Sequence, residues 1–354
     1  MLQYAKRHSG CDSVVCVMSG NFTQRGEPAM LNKYERAKHA VLAGADAVLE
    51  LPLPYAVSSA QDFAYGGIRL LQQIGCDVVA FGAETDDLSL LEQAAAFTES
   101  ADVKRYLSQG LSYPQATAKA LEDQGNDVLN GPNNLLAMEY LKACKRLRYT
   151  PQFLVLKREG AAHNDKELQQ LPSSRAIREA LQVGTTESLQ ACVPEYVFRD
   201  LPKTTENHYR EFVFTLFQLL TEKDLKAIRG MTEGLENRIL QAARNADNYD
   251  EFFRMVKTKR YTQLKLQRLF LAGALRFTDS LYVKAQKTTP FAIFLAMNES
   301  RKKELLAYFS KKIRFADRLT KQQKELDCLR KRADAFYFAV TNKKKENYSP
   351  FPVV

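Results

Sequence analysis

SVVCVMSGNFTQRGEP, residues 13–28, has five apolar residues in unbroken succession after Ser13 and then turns at Ser19 and Gly20. An alternating pattern would leave one face polar; a continuous one predicts a strand covered on both faces, as in a parallel sheet. Three more runs share the signature: DAVLEL at 46–51, DVVAF at 77–81 and FLVLK at 153–157. Helical stretches separate them. NKYERAKHAVLAG ends on Gly44 as a C′ residue, SSAQDFAYGGIRLLQQIG begins on serines suited to N-capping, and PNNLLAMEYLKACKRL carries Pro132 at a helix start. Strand and helix in alternation predict an α/β fold with an open parallel sheet, whose ligands bind beyond the carboxyl ends of the strands.

At 354 residues and 45% hydrophobic content the chain is expected to hold two domains. No apolar run approaches the ~18–20 residues of a membrane span, and the first residues lack the apolar core of a signal peptide. A cytoplasmic protein without a membrane partner is expected. Cys11, Cys16, Cys76, Cys144, Cys192 and Cys328 show no C-x-x-C spacing and read as reduced, structural thiols. The charge divides unevenly. From Leu201 onward there are 31 Lys+Arg against 17 Asp+Glu, a net +14, which leaves −4 in the first 200 residues. Beyond Leu201 strands are expected to give way to helices with apolar positions at three- and four-residue spacing, as in YREFVFTLFQLL. The expected organisation is residues 1–200 as an α/β domain and residues 201–354 as a basic helical domain, the footprint of a polyanion binder joined to a scaffold.

The strand-end rule brings together residues 19–28, Glu50–Leu51–Pro52, Gly82–Ala83–Glu84 and Arg158–Glu159–Gly160. Glycine lets the backbone approach a ligand, and arginine supplies charge to phosphate or carboxylate. Neither a Walker A sequence nor G-x-G-x-x-G is present, so the P-loop and dinucleotide fingerprints are not supported. Ser173, Ser174 and Arg178 stand where a helix is expected to begin, with hydroxyl and backbone donors suited either to an anion or to ordinary N-capping.

The string VMSGNFTQRGEPAMLNKYERAKHAVLAGADAVLELPLPYAVSSAQDFAYGG, followed in order by FGAE, GPNNLLAMEYLKA, LKREGAAHND, SSRAIR, EGLENRI and KTKRYTQLKLQRL, is similar to the tRNA(Met) cytidine acetate ligase family. The resemblance runs from about Leu2 into the 300s and thins beyond about Ala335. It implies a Rossmann-like, nucleotidyltransferase-type ATP-binding domain followed by an α-helical tRNA-binding domain. The implied activity activates acetate with ATP to an acetyl-adenylate and transfers the acetyl group to N4 of the wobble cytidine of elongator tRNA(Met). ATP contacts are implied at Gly82, Asn133, Asn134, Arg158, Glu159, Ser173, Ser174 and Arg178, with Arg175 departing from the small residue usual at its place. In the helical domain Lys257, Lys259, Arg260, Lys265 and Arg268 would meet tRNA phosphates. Tyr261 would either stack on an exposed base or lie in the core.

Family members open with a strand running into a His-x-Gly-His segment that contacts the ATP phosphates. This sequence aligns from the helix after it, so a sheet lacking its first strand is expected and no catalytic residue is assigned. His8, His39, His163 and His208 do not substitute by spacing. A start codon placed downstream, an incomplete gene and a shortened protein that retains only RNA binding are the three explanations. Magnesium is expected with ATP, with Glu84 and Glu27 as candidates by location and no metal-ligand set assigned. Elongator tRNA(Met) is the expected partner, with neither DNA nor an obligate protein partner. Alternative functions are a catalytically silent RNA binder and an adenylyltransferase of the same fold acting on a small metabolite.

Overall fold

The computed structural model describes residues 1–98, 100–158, 174–183, 187–202, 208–258, 261–343 and 352–354. All four expected strands form: β1 Val15–Ser19, β2 Ala47–Leu51, β3 Val78–Ala83 and β4 Gln152–Lys157. They make two parallel pairs, β1 with β2 (Val15↔Ala47 to Ser19↔Leu51) and β3 with β4 (Val78↔Gln152 to Ala83↔Lys157). Among the described residues no ladder joins one pair to the other. Full burial along the strand, expected for all four, holds only for β2. Of these strands β2 alone has a neighbour on each side, which leaves it no open edge.

The helices between them start and stop where their residues dictate. Asn32 caps the helix Lys33–Leu42 in a capping box with Glu35, and Gly44 follows at φ +112°. Ser59 caps Ala60–Ile74, which ends on Gly75 in the left-handed region. Pro132 occupies the first turn of Pro132–Leu147, where its missing N–H costs nothing.

An entirely helical second part is corrected by the structure. FAIFLAM forms β5 Phe291–Ala292 and β6 Phe294–Met297, and Arg314–Phe315 forms β7. β6 runs antiparallel to β2, with Ala47↔Met297 and Leu49↔Phe294, while β5 pairs in parallel with β7. The run is continuous, apolar and bounded by Pro290 and Asn298, the same signature as the first four strands; its position inside a helical region hid it.

Residues on both sides of position 200 share one core. Phe22, Val48 and Leu51 belong to the same buried cluster as Phe217, Phe252, Phe270 and Tyr337. Phe22 lies with ring centroids 6.1 Å from Tyr209, 5.6 Å from Phe336 and 6.1 Å from Tyr337. The Tyr337 hydroxyl donates to the Ala29 carbonyl at 2.9 Å, and that of Tyr209 to Gly26 at 2.8 Å.

Gly26 explains how this loop approaches so closely. Its φ is +79°, and a Cβ placed there would sit 2.5 Å from the Arg268 amide nitrogen and 2.6 Å from the Gln267 carbonyl carbon. Left-handed strain and a backbone clash then act together. Gly26→Ala is expected to lower the unfolding free energy by about 2 kcal/mol in urea titrations. A loss under ~0.5 kcal/mol, the range of an ordinary surface change, would show that the loop yields freely.

Candidate functional site

The carboxyl ends of β3 and β4 and the start of the helix Pro132–Leu147 meet in one place. Gly82 on β3 pairs with Leu156 on β4, and the Arg158 amide donates to the Ala83 carbonyl at 2.9 Å. A Cβ on Gly82 would lie 2.9 Å from the Met1 methyl and 3.6 Å from Arg158 Cγ, so this glycine makes room for both. Arg158 is exposed, and among the described residues its guanidinium has no protein partner.

Glu84 and Asn134 clamp the strand to the helix reciprocally. Asn134 Oδ1 accepts from the amides of Glu84 (2.7 Å) and Thr85 (3.2 Å), while its Nδ2 donates to the Val128 carbonyl at 2.7 Å. In return Glu84 Oε2 accepts from the Asn134 amide at 2.6 Å. Glu84 Oε1 accepts from the Asn133 amide at 3.1 Å and Asn133 Nδ2 at 2.6 Å. A carboxylate at a helix N-terminus is favoured by unpaired amides and by the helix dipole together. Gly131 is required here, because a Cβ would fall 2.3 Å from Glu84 Cδ.

The structure therefore brings Gly82, Asn133, Asn134 and Arg158 together and separates their roles. Asn134 is 4% exposed, and its polar atoms are engaged in holding the Gly82–Glu84 turn. Glu84 accepts on both oxygens at the helix start, and Glu27 Oε1 accepts from Gln267 Nε2 at 2.7 Å. Glu159 and Ser173 lie outside the described residues. Ser174 begins the helix Ser174–Val183, which carries Arg178 and packs through Ala180 and Leu181 beside Met30 and Phe198.

A second polar group lies at the ends of β1 and β2; the strand-end rule reached its Asn21 and Glu50 but not Lys33, Arg330 or Asp334. Lys33 is fully buried, its Nζ 2.8 Å from Glu50 Oε2 and 2.6 Å from Asp334 Oδ2. Asp334 Oδ1 accepts from Asn21 Nδ2 at 2.9 Å, and Asn21 Oδ1 accepts from the Lys33 amide at 2.8 Å. Arg330 closes the group, 3.1 Å from Asp334 and 2.7 Å from Asp327. Burial works against the Lys33 ammonium, yet Glu50 and Asp334 outweigh it and hold its pKa above the ordinary lysine value. Gly20 leaves space for Glu50, whose Oε1 would be 2.2 Å from an added Cβ. The available signal was the charge of Glu50 inside an apolar strand; Asp334, more than 300 residues from Lys33, gave none.

The described part of the basic segment 257–268 mixes exposed and buried positions. Lys257 is exposed just after the helix Tyr249–Val256. Tyr261 is 7% exposed and its hydroxyl accepts from Thr232 at 3.1 Å, the arrangement expected of the core alternative. Lys265 Nζ sits 4.8 Å from the centre of that ring. Arg268 donates to the Gln24 carbonyl at 3.3 Å, and burial draws its pKa below the usual arginine value. It fastens the residue 19–28 loop and is not free to meet a phosphate. Lys259 and Arg260 lie outside the described residues.

Known proteins share this arrangement along most of the chain. A family model described as HIGH Nucleotidyl Transferase matches residues 1–350. A tRNA(Met) cytidine acetate ligase of Caldicellulosiruptor saccharolyticus is 36% identical over 334 residues, covering 90% of this chain and 82% of the relative. One from Clostridium perfringens is 31% identical over 349 residues, covering 92% and 87%. The crystal structure of Thermotoga maritima TmcAL without ligand superposes with a TM-score of 0.89 at 27% identity, covering 99% of this chain and 94% of that one. The same protein bound with alpha-thio ATP gives 0.87 at 26% identity, covering 100% and 95%.

Proposed function

The chain belongs to the tRNA(Met) cytidine acetate ligase family, and from that premise we propose that it joins acetate to N4 of the wobble cytidine of elongator tRNA(Met) at the expense of ATP. Residues 1–200 handle the nucleotide and residues 201–354 the RNA. The observation that carries the reading is the turn Gly82–Glu84 held beside the uncommitted Arg158 at the carboxyl ends of two parallel strands. A glycine under the nucleotide and a free guanidinium at its phosphates form a suitable anion platform.

The chemistry balances in two steps. An acetate oxygen attacks the α-phosphorus of ATP and pyrophosphate leaves, giving acetyl-adenylate. The cytidine N4 amine then attacks the acetyl carbon, AMP leaves with the bonding electron pair, and the amine gives up one proton. Magnesium would accompany ATP as the counter-ion of its triphosphate.

Incubating the chain, joined to the strand and His-x-Gly-His segment of a family member, with ATP, isotopically labelled acetate and tRNA(Met), then digesting the RNA to nucleosides, is expected to give labelled N4-acetylcytidine with AMP and pyrophosphate in equal amounts. Pyrophosphate without labelled nucleoside would turn the reading toward an adenylyltransferase of small molecules. Arg158→Ala is expected to weaken ATP binding about tenfold, the loss of one charge-assisted contact of ~1.5 kcal/mol. An unchanged affinity in a direct ATP titration would remove Arg158 from the site.

A further inference from the structure

A cleft of about 660 Å³ opens between the end of the helix Asp279–Lys287, the turn at 288–290, β7 and the start of the helix Lys321–Thr341. It is remote in sequence from the β3–β4 site and from the segment 257–268. Lys287, Lys311, Lys312, Arg314 and Arg318 line it, against a single carboxylate, that of Asp317. Among the described residues the first four pair with no carboxylate; Arg318 stands 3.7 Å from Asp317 beside it in sequence.

The walls are held in place. Gln323 Nε2 donates to the Thr289 carbonyl at 3.0 Å, and Gln73 Nε2 donates to the Lys312 carbonyl at 2.8 Å. Gln323 is itself 1% exposed, so the turn that carries one wall is fastened from the interior. The cations are thus gathered on a fixed frame while remaining exposed.

We propose that this cleft binds the phosphate backbone of the tRNA substrate, an inference that rests on the function proposed above. Charge unmatched by carboxylates has to be balanced by a ligand or by mobile ions. A polyphosphate chain releases those ions when it binds. Pockets for small molecules are mostly apolar with a few polar groups; this one carries five cations around an open mouth.

The test titrates fluorescently labelled tRNA(Met) with the full chain at several salt concentrations. Lys287→Ala/Lys311→Ala/Lys312→Ala is compared with Lys104→Ala/Lys119→Ala/Lys145→Ala, which removes the same charge from the first part. The cleft variant is expected to bind at least tenfold more weakly, and its plot of log affinity against log salt is expected to lose about two to three units of slope. The control variant is expected to stay within about twofold of the parent. Equal losses in both variants, or parent-like binding by the cleft variant, would overturn the cleft while leaving tRNA recognition intact. A parent chain that binds no tRNA would overturn the functional reading and the cleft with it. Circular dichroism checks that both variants are folded, and the substituted cleft side chains are exposed.

Discussion

Lys33→Met is expected to lower the unfolding free energy by about 3–5 kcal/mol, the usual cost of removing one partner from a buried ion pair. Methionine keeps most of the volume, so the change isolates the charge. Glu50, 2% exposed, would then lose the ammonium 2.8 Å from its Oε2, and Asp334 would lose its contact at 2.6 Å. Arg330 remains 3.1 Å from Asp334 and 3.9 Å from Glu50, which places the loss toward the lower end of that range. The melting temperature should fall by roughly 4–6 °C. Adding Glu50→Gln removes the stranded charge, and the double variant is expected to recover at least ~1 kcal/mol relative to Lys33→Met alone. Denaturant titrations of the four proteins in this cycle measure the coupling directly. A Lys33→Met protein within ~1 kcal/mol of the parent would show that water or protonation of Glu50 relieves the charge. Strictly additive losses would show that Lys33 and Glu50 do not act as a pair.

That network also marks the limit of what the sequence disclosed. The runs at 13–18, 46–51, 77–81 and 153–157 identified β1 to β4 because burial imposes an apolar pattern within a few residues. FAIFLAM at 291–297 carries the same apolar pattern, but it lies between helices and is masked by their periodicity. Lys33, Asp334 and Arg330 obey no such local rule. Their meeting depends on how residues 19–34 pass under the last long helix, Lys321–Thr341, and a tertiary contact of that span leaves no period to detect. The segment 257–268 shows the opposite failure. Its charges suggested a contact surface, yet Tyr261 and Arg268 fold inward because the helix Gln263–Ala274 buries Leu266, Leu269 and Phe270 and carries its neighbours along. At the proposed nucleotide site the motifs pointed to the ends of β3 and β4, but no motif separates the exposed Arg158 from the engaged Asn134.

Asn134→Ala is expected to cost about 2–4 kcal/mol of stability and to weaken ATP binding by at least tenfold, although Asn134 is too buried to touch the nucleotide. The substitution strands three main-chain groups: the amides of Glu84 and Thr85 and the carbonyl of Val128. Each carries a desolvation penalty of roughly 1–3 kcal/mol when left unpaired, reduced where water can enter beside the half-exposed Glu84. With the turn released from the helix Pro132–Leu147, Gly82 and Arg158 no longer hold a fixed spacing, and preorganisation for the phosphates is lost. Asn134→Asp separates the two effects. It retains acceptors for the Glu84 and Thr85 amides but sets a second carboxylate beside that of Glu84 and faces the Val128 carbonyl with an acceptor, so it should be at least as unstable as the alanine variant. Isothermal titration with ATP well below each variant's melting point gives affinity independently of global unfolding. Reduced stability with parental ATP affinity would confine Asn134 to the scaffold and move the nucleotide platform away from the Gly82–Glu84 turn. A joint loss, with Arg158→Ala affecting affinity alone, would establish that the turn is positioned by one residue and charged by the other.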